Sequence, residues 1–195
     1  MQKIFNSVII PQSYESKDAE YPKAPKKCPH KGCHIPKKMK KHGFYSRYLI
    51  TTKFKGHIKV RRYRCSVCGR TVSFLPSFCI PRFAYGVEVV IGILKDLFRK
   101  GSVRSVMKKW NKVISTITRR HLTWYRKRLW GNRKFIQLIL NEMSPEYVDF
   151  NNISGDIDWA KGVLLEIGQL HPHVFNADFH AIAEKSFMSL RNMIA

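Results

Sequence analysis

The stretch RRYRCSVCGRTVSF, residues 61–74, places a Cys-x-x-Cys pair between a run of arginines and an apolar segment. Upstream, CPHKGC at residues 28–33 supplies a second close pair. Two such pairs are typical of a tetrahedral Zn²⁺ site, because each tight turn presents two thiolates and the metal joins the two turns. The pattern therefore predicts one structural zinc ion per chain. The predicted ligands are Cys28, Cys33, Cys65 and Cys68.

Two other interpretations of the cysteines stay open. A Cys-x-x-Cys motif can serve redox chemistry, but it then lies at the start of a helix, whereas Cys65 and Cys68 lie between basic, strand-like segments. Metal binding is therefore favoured over redox chemistry and over unligated cysteines. The first pair is widely spaced, which leaves His30 or His34 as an alternative ligand. Cys79 has no partner at ligand spacing and is predicted to be a buried apolar residue.

The charge of the chain is strongly positive and unevenly distributed. Its 195 residues carry 36 Lys and Arg against 13 Asp and Glu, a formal net charge of +23. Residues 1–140 hold 33 of the basic and 5 of the acidic residues, or +28, whereas residues 141–195 hold 3 and 8, or −5. A field of this sign predicts a polyanionic partner. The apolar content of 44% is sufficient for a folded core.

Local patterns predict an α+β protein with four parts. Residues 1–27 mix charge, proline and serine, and are expected to form a flexible basic arm. Residues 28–80 are rich in aromatic and β-branched residues, with a turn signal at Lys55-Gly56, and predict a small β zinc ribbon. A helical period follows. It predicts an all-α helix-turn-helix bundle over residues 81–131 and a helical C-terminal segment over residues 132–195.

The helix-turn-helix is predicted from the second and third helices of the bundle. Ser102 is expected to cap the second helix, and Ser115 or Thr116 to open a third, long helix that stops at Gly131. In such a motif the later helix lies in the major groove of DNA, held there by apolar contacts to the earlier one. The residues expected to make these contacts are Val106, Trp110, Val113 and Ile117. Trp124 and Trp130 are expected in the core.

Basic and hydroxyl side chains on the hairpin and the third helix are the candidate DNA contacts. Early in the helix they would meet base edges and phosphates, and farther along they would meet phosphates. The candidates on the hairpin are Arg61, Arg62, Arg64 and Arg70. Those at the helix are Ser115, Thr116, Thr118, Arg119, Arg120, Arg126 and Lys127. The alternative is a solvated basic face on a helical bundle, against which the excess of basic residues and the interleaved aromatics argue.

No run of the chain approaches the roughly 18 to 20 apolar residues that a membrane span needs. The N-terminus has only a short apolar stretch, ended by Pro11, with no small-residue cleavage site after it. We therefore expect a cytoplasmic, nucleoid-associated protein without membrane contact.

The order of CPHKGC, then HG, then a basic hairpin ending RYRCSVCGRTVSFLP, then a helix-turn-helix, resembles the N-terminal DNA-binding region of bacterial insertion-sequence transposases and of related uncharacterised zinc-ribbon proteins. The resemblance covers roughly residues 28 to 130. It implies that the four cysteines hold zinc and that the helices after them engage double-stranded DNA. Full transposases of the kind that this chain resembles continue into an RNase H-like nuclease domain, whose separated acidic residues bind Mg²⁺.

Such a nuclease domain needs on the order of 100 residues, whereas only 65 follow Trp130. The acidic residues there are Asp149, Asp156, Asp158, Glu166, Asp178 and Glu184. Because they lie in a segment with a helical pattern, we expect no complete catalytic domain and assign no catalytic residue. An RNA-binding or ribosome-associated module and a subunit of a split transposase or nuclease are the alternatives. For the C-terminal segment, the open interpretations are that it covers part of the basic surface, mediates self-association, or completes the core as a helical cap. Besides double-stranded DNA, the candidate partners of the protein are a second copy, in a homodimer, and other mobile-element proteins.

Overall fold

The computed structural model describes residues 1–7, 9–16, 19–33, 39–99, 102–143 and 155–189. Within them the chain has a mixed α+β fold, as predicted, with one sheet in the strand order β1-β4-β3-β2. The strands are β1 (Gln2–Phe5), β2 (Lys40–Ile50), β3 (Lys55–Arg64) and β4 (Thr71–Pro76). The helices are α1 (Val87–Phe98), α2 (Val103–Asn111), α3 (Arg119–Gly131), α4 (Arg133–Met143), α5 (Asp156–Gln169) and α6 (Pro172–Ala183).

The turn of the β2–β3 hairpin comprises residues 51–54 and so precedes the Lys55-Gly56 pair that the sequence indicated. The backbone N–H of Thr51 donates to the Phe54 carbonyl at 2.7 Å, and the Phe54 N–H donates to the Thr51 hydroxyl at 2.9 Å. The turn is therefore closed by a threonine side chain, and Lys55-Gly56 belongs to β3 rather than to the turn. Gly56 is needed for a different reason, because a Cβ there would lie 3.0 Å from the Phe54 ring.

The N-terminal residues are not a flexible arm where the structure describes them. β1 pairs with β4 in parallel, with Gln2 opposite Ser73. Farther along, the side chain of Tyr14 is completely buried in the core of the sheet, and its hydroxyl lies 2.7 Å from the Ser7 hydroxyl. Ile4 and Tyr14 bring enough apolar area to hold this segment on the sheet, which corrects the expectation for residues 1–27.

Helix α1 lies at the centre of the helical core and contacts α2, α3, α5 and α6. Its apolar period places Val87, Val90, Ile91 and Leu94 on one face, which is buried, and so are Val89 and Ile93 beside it. Helix α2 packs on α1 through Trp110, whose indole nitrogen donates to the Asp96 carboxylate at 2.8 Å. Lys109 pairs with the same carboxylate at 2.7 Å. The capping role of Ser102 is confirmed, since its hydroxyl accepts from the Ser105 N–H at 3.1 Å.

Replacing Gly92 by alanine is expected to lower the free energy of unfolding by roughly 1–3 kcal/mol. A Cβ at Gly92 would lie 2.7 Å from the ring of Trp110, so α1 and α2 would have to separate. Urea denaturation of the variant measures the loss. Gly168→Ala in α5 is the matched control, because its new Cβ would meet only the flexible end of Lys95. Equal stability of Gly92→Ala and the parent chain would contradict this packing.

The connection between α2 and α3 is longer than predicted and comprises residues 112–118. Ser115 and Thr116 lie in this connection and do not open α3. Thr118 is the N-cap instead, because its hydroxyl accepts from the His121 N–H at 3.4 Å while its own N–H donates to the His121 ring at 3.1 Å. The connection is therefore longer than the turn of a common helix-turn-helix motif, which has about 3–4 residues.

The side chains of this connection also differ from the prediction. Val113, expected to pack α2 against α3, is 56% exposed. Ile114 takes its place in the core, together with the predicted Ile117. The cause is local. The backbone N–H of Ile114 donates to the Trp110 carbonyl at 2.7 Å, as it would in one more turn of α2, and this bond places Ile114 rather than Val113 toward the core.

The C-terminal helices complete the core as a helical cap. Phe175 and Phe179 of α6 are fully buried in the helical cluster. The side-chain amide of Asn176 donates to the carbonyls of Ser77 at 2.7 Å and Cys79 at 2.9 Å, just after β4. Helix α6 also contacts β1. Contacts between the sheet and the helices therefore cross the predicted boundaries at residues 80 and 131.

Candidate metal centre and basic surface

Two tight turns bring the four cysteines together. In the first, the Cys33 N–H donates to the His30 carbonyl at 3.1 Å, and Gly32 has a φ of 81° that favours glycine. In the second, between β3 and β4, the Gly69 N–H donates to the Cys65 carbonyl at 3.1 Å, and Gly69 has a φ of 69°. Each turn thus presents two thiols, as the spacing predicts.

The distances between the sulfur atoms fit a tetrahedral metal ion. The Sγ atoms of Cys28, Cys33, Cys65 and Cys68 all lie within 4.8 Å of one another. The Cys28–Cys68 and Cys33–Cys65 Sγ distances are 3.7 and 3.8 Å. A tetrahedron with Zn–S bonds of about 2.3 Å has sulfur atoms about 3.8 Å apart. The predicted ligands therefore form a cluster that could hold one metal ion.

The surroundings of the cluster shift the pKa values of its thiols in opposite directions. The backbone N–H groups of Cys68 and Val67 point to the Cys65 sulfur and lower the pKa of its thiol to about 6. Burial raises the pKa of Cys28, and it raises that of Cys33 to about 12. Buried thiols of this kind lose their protons when a metal ion binds, because the ion compensates the charge of the thiolates.

The alternatives for the cysteines gain no support among the described residues. The His30 ring nitrogen lies 3.1 Å from the Thr71 carbonyl and outside the cluster, and His34 lies outside the described residues. The Cys65 and Cys68 turn joins two strands and no helix begins there, unlike the redox motif. Cys79 is fully buried, as predicted, and burial raises the pKa of its thiol to about 12.

The predicted hairpin arginines divide into two groups. Arg61 and Arg62 are half-buried and engaged within the sheet: Arg61 lies 4.6 Å from the centre of the Phe44 ring, and Arg62 donates to the Phe44 carbonyl at 3.4 Å. Arg64 and Arg70 are exposed beside the metal centre, although Arg64 also donates to the Gly69 carbonyl at 3.1 Å. Arg64 and Arg70 are thus the hairpin cations best placed to contact a partner.

Helix α3 carries the most exposed basic surface of the predicted site. Residues 102–131 contain nine Lys and Arg and no Asp or Glu. In the part of the chain that the structure describes, no cation of α3 forms an ion pair. Four predicted contacts on α3 are exposed: Arg119, Arg120, Arg126 and Lys127. We call these four residues the α3 cations.

The predicted hydroxyl contacts are largely engaged within the chain. The Tyr85 hydroxyl donates to both the carbonyl and the hydroxyl of Thr116, at 2.9 Å each. Thr118 caps α3, and Ser115 is exposed in the preceding connection. Thr116 and Thr118 therefore have structural roles that the sequence pattern did not indicate.

Trp124, which was expected in the core, lies at the surface. It is 38% exposed, whereas Trp130 is partly buried against the helical core. The sequence contained a signal, because the buried positions of α3 are Leu122, Tyr125 and Leu129, and residue 124 lies off that face. Trp124 instead lines an open depression together with three of the α3 cations, Arg119, Arg120 and Lys127.

The acidic residues that the structure describes in the C-terminal segment are not gathered into a second metal site. Asp158 pairs with Lys161 at 2.9 Å, and Glu184 lies 3.7 Å from Lys3. Asp149 and the Asp156 side chain lie outside the described residues. Among the residues that the structure describes, only the four cysteines form a cluster of possible metal ligands. The same residues include no helix of the length and apolar character that crossing a membrane requires.

Comparison with known proteins gives one partial match. A family model with the description "Domain of unknown function (DUF6431)" matches residues 28–119. This span contains all four cysteines, three strands of the sheet, α1 and α2, and it ends at the first residue of α3. No curated protein and no solved structure matches the chain.

Proposed function

We propose that the protein is a zinc-stabilised DNA-binding protein whose helix α3 engages double-stranded DNA. The observation that carries this proposal is the set of α3 cations, which are exposed on one helix and form no ion pair among the described residues. Three of them, Arg119, Arg120 and Lys127, line one depression. A surface of this kind attracts phosphates, and counterion release then provides the affinity. The role is one of binding, with no catalytic step.

Zinc is the metal that best suits the cysteine cluster. Four thiolates are soft donors, and a tetrahedral set of them is typical of zinc or iron–sulfur sites. The cluster is small, buried and closed by two tight turns, which suits a single ion with a structural role. The ion would join the loop before β2 to the turn between β3 and β4, and so hold the basic hairpin in place.

The position of α3 suits contact with the duplex. Its 13 residues span about 20 Å at 1.5 Å per residue, and an α-helix fits the major groove of B-DNA. The turn of the hairpin and the connection before α3 line one depression, so Lys53 and Lys55 lie near the N-terminal end of the helix. These two lysines would contact phosphates beside the groove.

The resemblance to transposases extends the proposal to the origin of the DNA. The residues that carry it, from Cys28 through the motif at residues 62–76, belong to the metal centre and the hairpin. On this basis we propose that the bound DNA belongs to a mobile element. Self-association on a two-fold symmetric site would be compatible with such a role.

Binding to a short DNA duplex is expected to weaken steeply with salt. If the α3 cations each neutralise one phosphate, the logarithm of the association constant falls with the logarithm of the salt concentration with a slope of about −3.6 or steeper. Fluorescence anisotropy at several salt concentrations measures the slope, with duplex RNA of the same sequence as competitor. A slope shallower than about −1 would contradict the proposal. Preference for the RNA would favour the A-form duplex as partner instead.

A further inference from the structure

We infer that Trp124 forms a stacking site for an unpaired nucleotide base at the centre of the α3 surface. The inference rests on the proposed DNA-binding function and makes its ligand more specific. It concerns single-stranded or locally opened DNA, because a base in an intact duplex presents its edges in the grooves and not its ring faces.

One face of the Trp124 ring is held by neighbouring residues. Phe83 stacks on it with 4.9 Å between ring centres and 25° between the planes, and the Arg128 guanidinium carbon lies 4.1 Å from the Trp124 ring centre. The same carbon is only 5.8 Å from the Phe83 ring centre. Two groups on opposite faces of a ring would be separated by nearly the sum of their distances from it. Phe83 and Arg128 therefore cover the same side of the indole.

The support behind this face is rigid. Phe83 is 5% exposed and also stacks on the buried Tyr125, with 5.8 Å between ring centres. Arg128 donates to the Met188 carbonyl at 2.6 Å, which ties it to the C-terminal end of the described chain. Because its supporting groups are anchored in the core, the indole needs little reorganisation to receive a ligand.

The other side of Trp124 opens to a depression with basic walls. The residues that line the depression with Trp124 are Arg119, Arg120, Thr123 and Lys127. Neither Phe83 nor Arg128 is among them, as expected if they cover the opposite face. An aromatic face among cations is the combination that binds single-stranded nucleic acid, since the base stacks and the flanking phosphates meet the charges.

The test compares two DNA ligands and four proteins. The ligands are a fully paired duplex and the same duplex with a short run of unpaired thymines, labelled for anisotropy. The proteins are the parent chain, Trp124→Ala, Trp124→Phe and Tyr48→Ala. Tyr48 is the matched control because it is similarly exposed, at 37%, and lies on β2. We expect the parent to bind the ligand with unpaired bases more tightly than the paired duplex.

Trp124→Ala should weaken binding of the ligand with unpaired bases by about 5- to 150-fold, the usual effect of losing one base–aromatic stack. Binding of the paired duplex should change less than about twofold. Trp124→Phe keeps a ring and should retain most of the preference, which separates stacking from a fault in folding. Tryptophan fluorescence of the parent should fall when it binds unpaired bases. The fluorescence of Trp124→Phe should not change on binding.

Each failure has a distinct meaning. An equal loss for both ligands, or no loss in Trp124→Ala, or an equal effect of Tyr48→Ala, would overturn the stacking site while duplex binding stands. Binding of unpaired DNA alone would overturn the proposed duplex function and leave the stacking site. Absence of binding to either ligand by the parent would overturn both.

Discussion

Replacing Cys65 by serine is expected to remove the metal ion and to unfold the part of the sheet around it. Its side chain is 3% exposed, and its sulfur lies 3.8 Å from that of Cys33. Besides cysteines, the small apolar cluster around them has only four buried residues in the described part of the chain, Met39, Tyr63, Val72 and Phe74. Loss of a structural metal belongs to the largest effects of single substitutions, roughly 4 kcal/mol or more. For a chain of this size that corresponds to a fall in Tm of about 8–16 °C.

Elemental analysis and hydrogen exchange together measure this effect. Zinc should fall from one ion per chain to almost none, and exchange should accelerate in residues 28–33 and 61–74 before it does in α1. Cys79→Ala is the matched control, since Cys79 is fully buried but lies outside the cluster. It should keep its zinc and lose only about 1 kcal/mol of stability. Retention of a full zinc content by Cys65→Ser would refute the assignment of the ligands.

Replacing Arg119, Arg120 and Lys127 together by glutamine is expected to weaken DNA binding by at least two orders of magnitude. Each phosphate contact contributes about 0.9 to the slope of the salt dependence. Three lost contacts should therefore make the slope shallower by about 2.7 and, near 0.1 M salt, lower the association constant by roughly 500-fold. The side chains are exposed, so stability should change little.

A control with the same loss of charge separates a local contact from a general field. Lys31, Lys134 and Lys161 lie outside α3, and their joint replacement by glutamine also removes three charges. This control should weaken binding only modestly, because charges outside the proposed contact surface act on the DNA only through a field that salt screens. Equal losses in the two triple variants would show that net charge, and not α3, determines the binding.

The metal centre and the hairpin were predictable because their signals are local. Two cysteines in a tight turn present their sulfurs together, so the gathering of the four cysteines followed from their spacing, while His30 and His34 stayed open as alternative ligands. The buried face of α1 likewise followed from the period of its apolar residues, since a helix repeats its contacts every few residues. The closeness of the four cysteines and the burial of Leu94 on α1 confirm these two parts of the prediction.

The features that were missed depend on contacts that are distant in sequence or on competing caps. β1 has only four residues, and its partner β4 lies about seventy residues away in the sequence. No local pattern of residues therefore predicts this pairing. The start of α3 was decided by the reciprocal bonds of Thr118 and His121, which Ser115 and Thr116 could not match. Trp124 was assigned to the core by residue type, although its helical position excluded it.

The parallel pairing of β1 with β4 and the amide of Asn176 join segments that are far apart in the sequence. β1 pairs with a strand about seventy residues later, and Asn176, almost one hundred residues after Ser77, bonds the carbonyls that follow that strand. Contacts of this range form slowly, because the entropy of closing a long loop is lost before the contacts are gained. We therefore expect the sheet and α6 to unfold together in one cooperative step, so that hydrogen exchange in β1, β4 and α6 has the same dependence on denaturant.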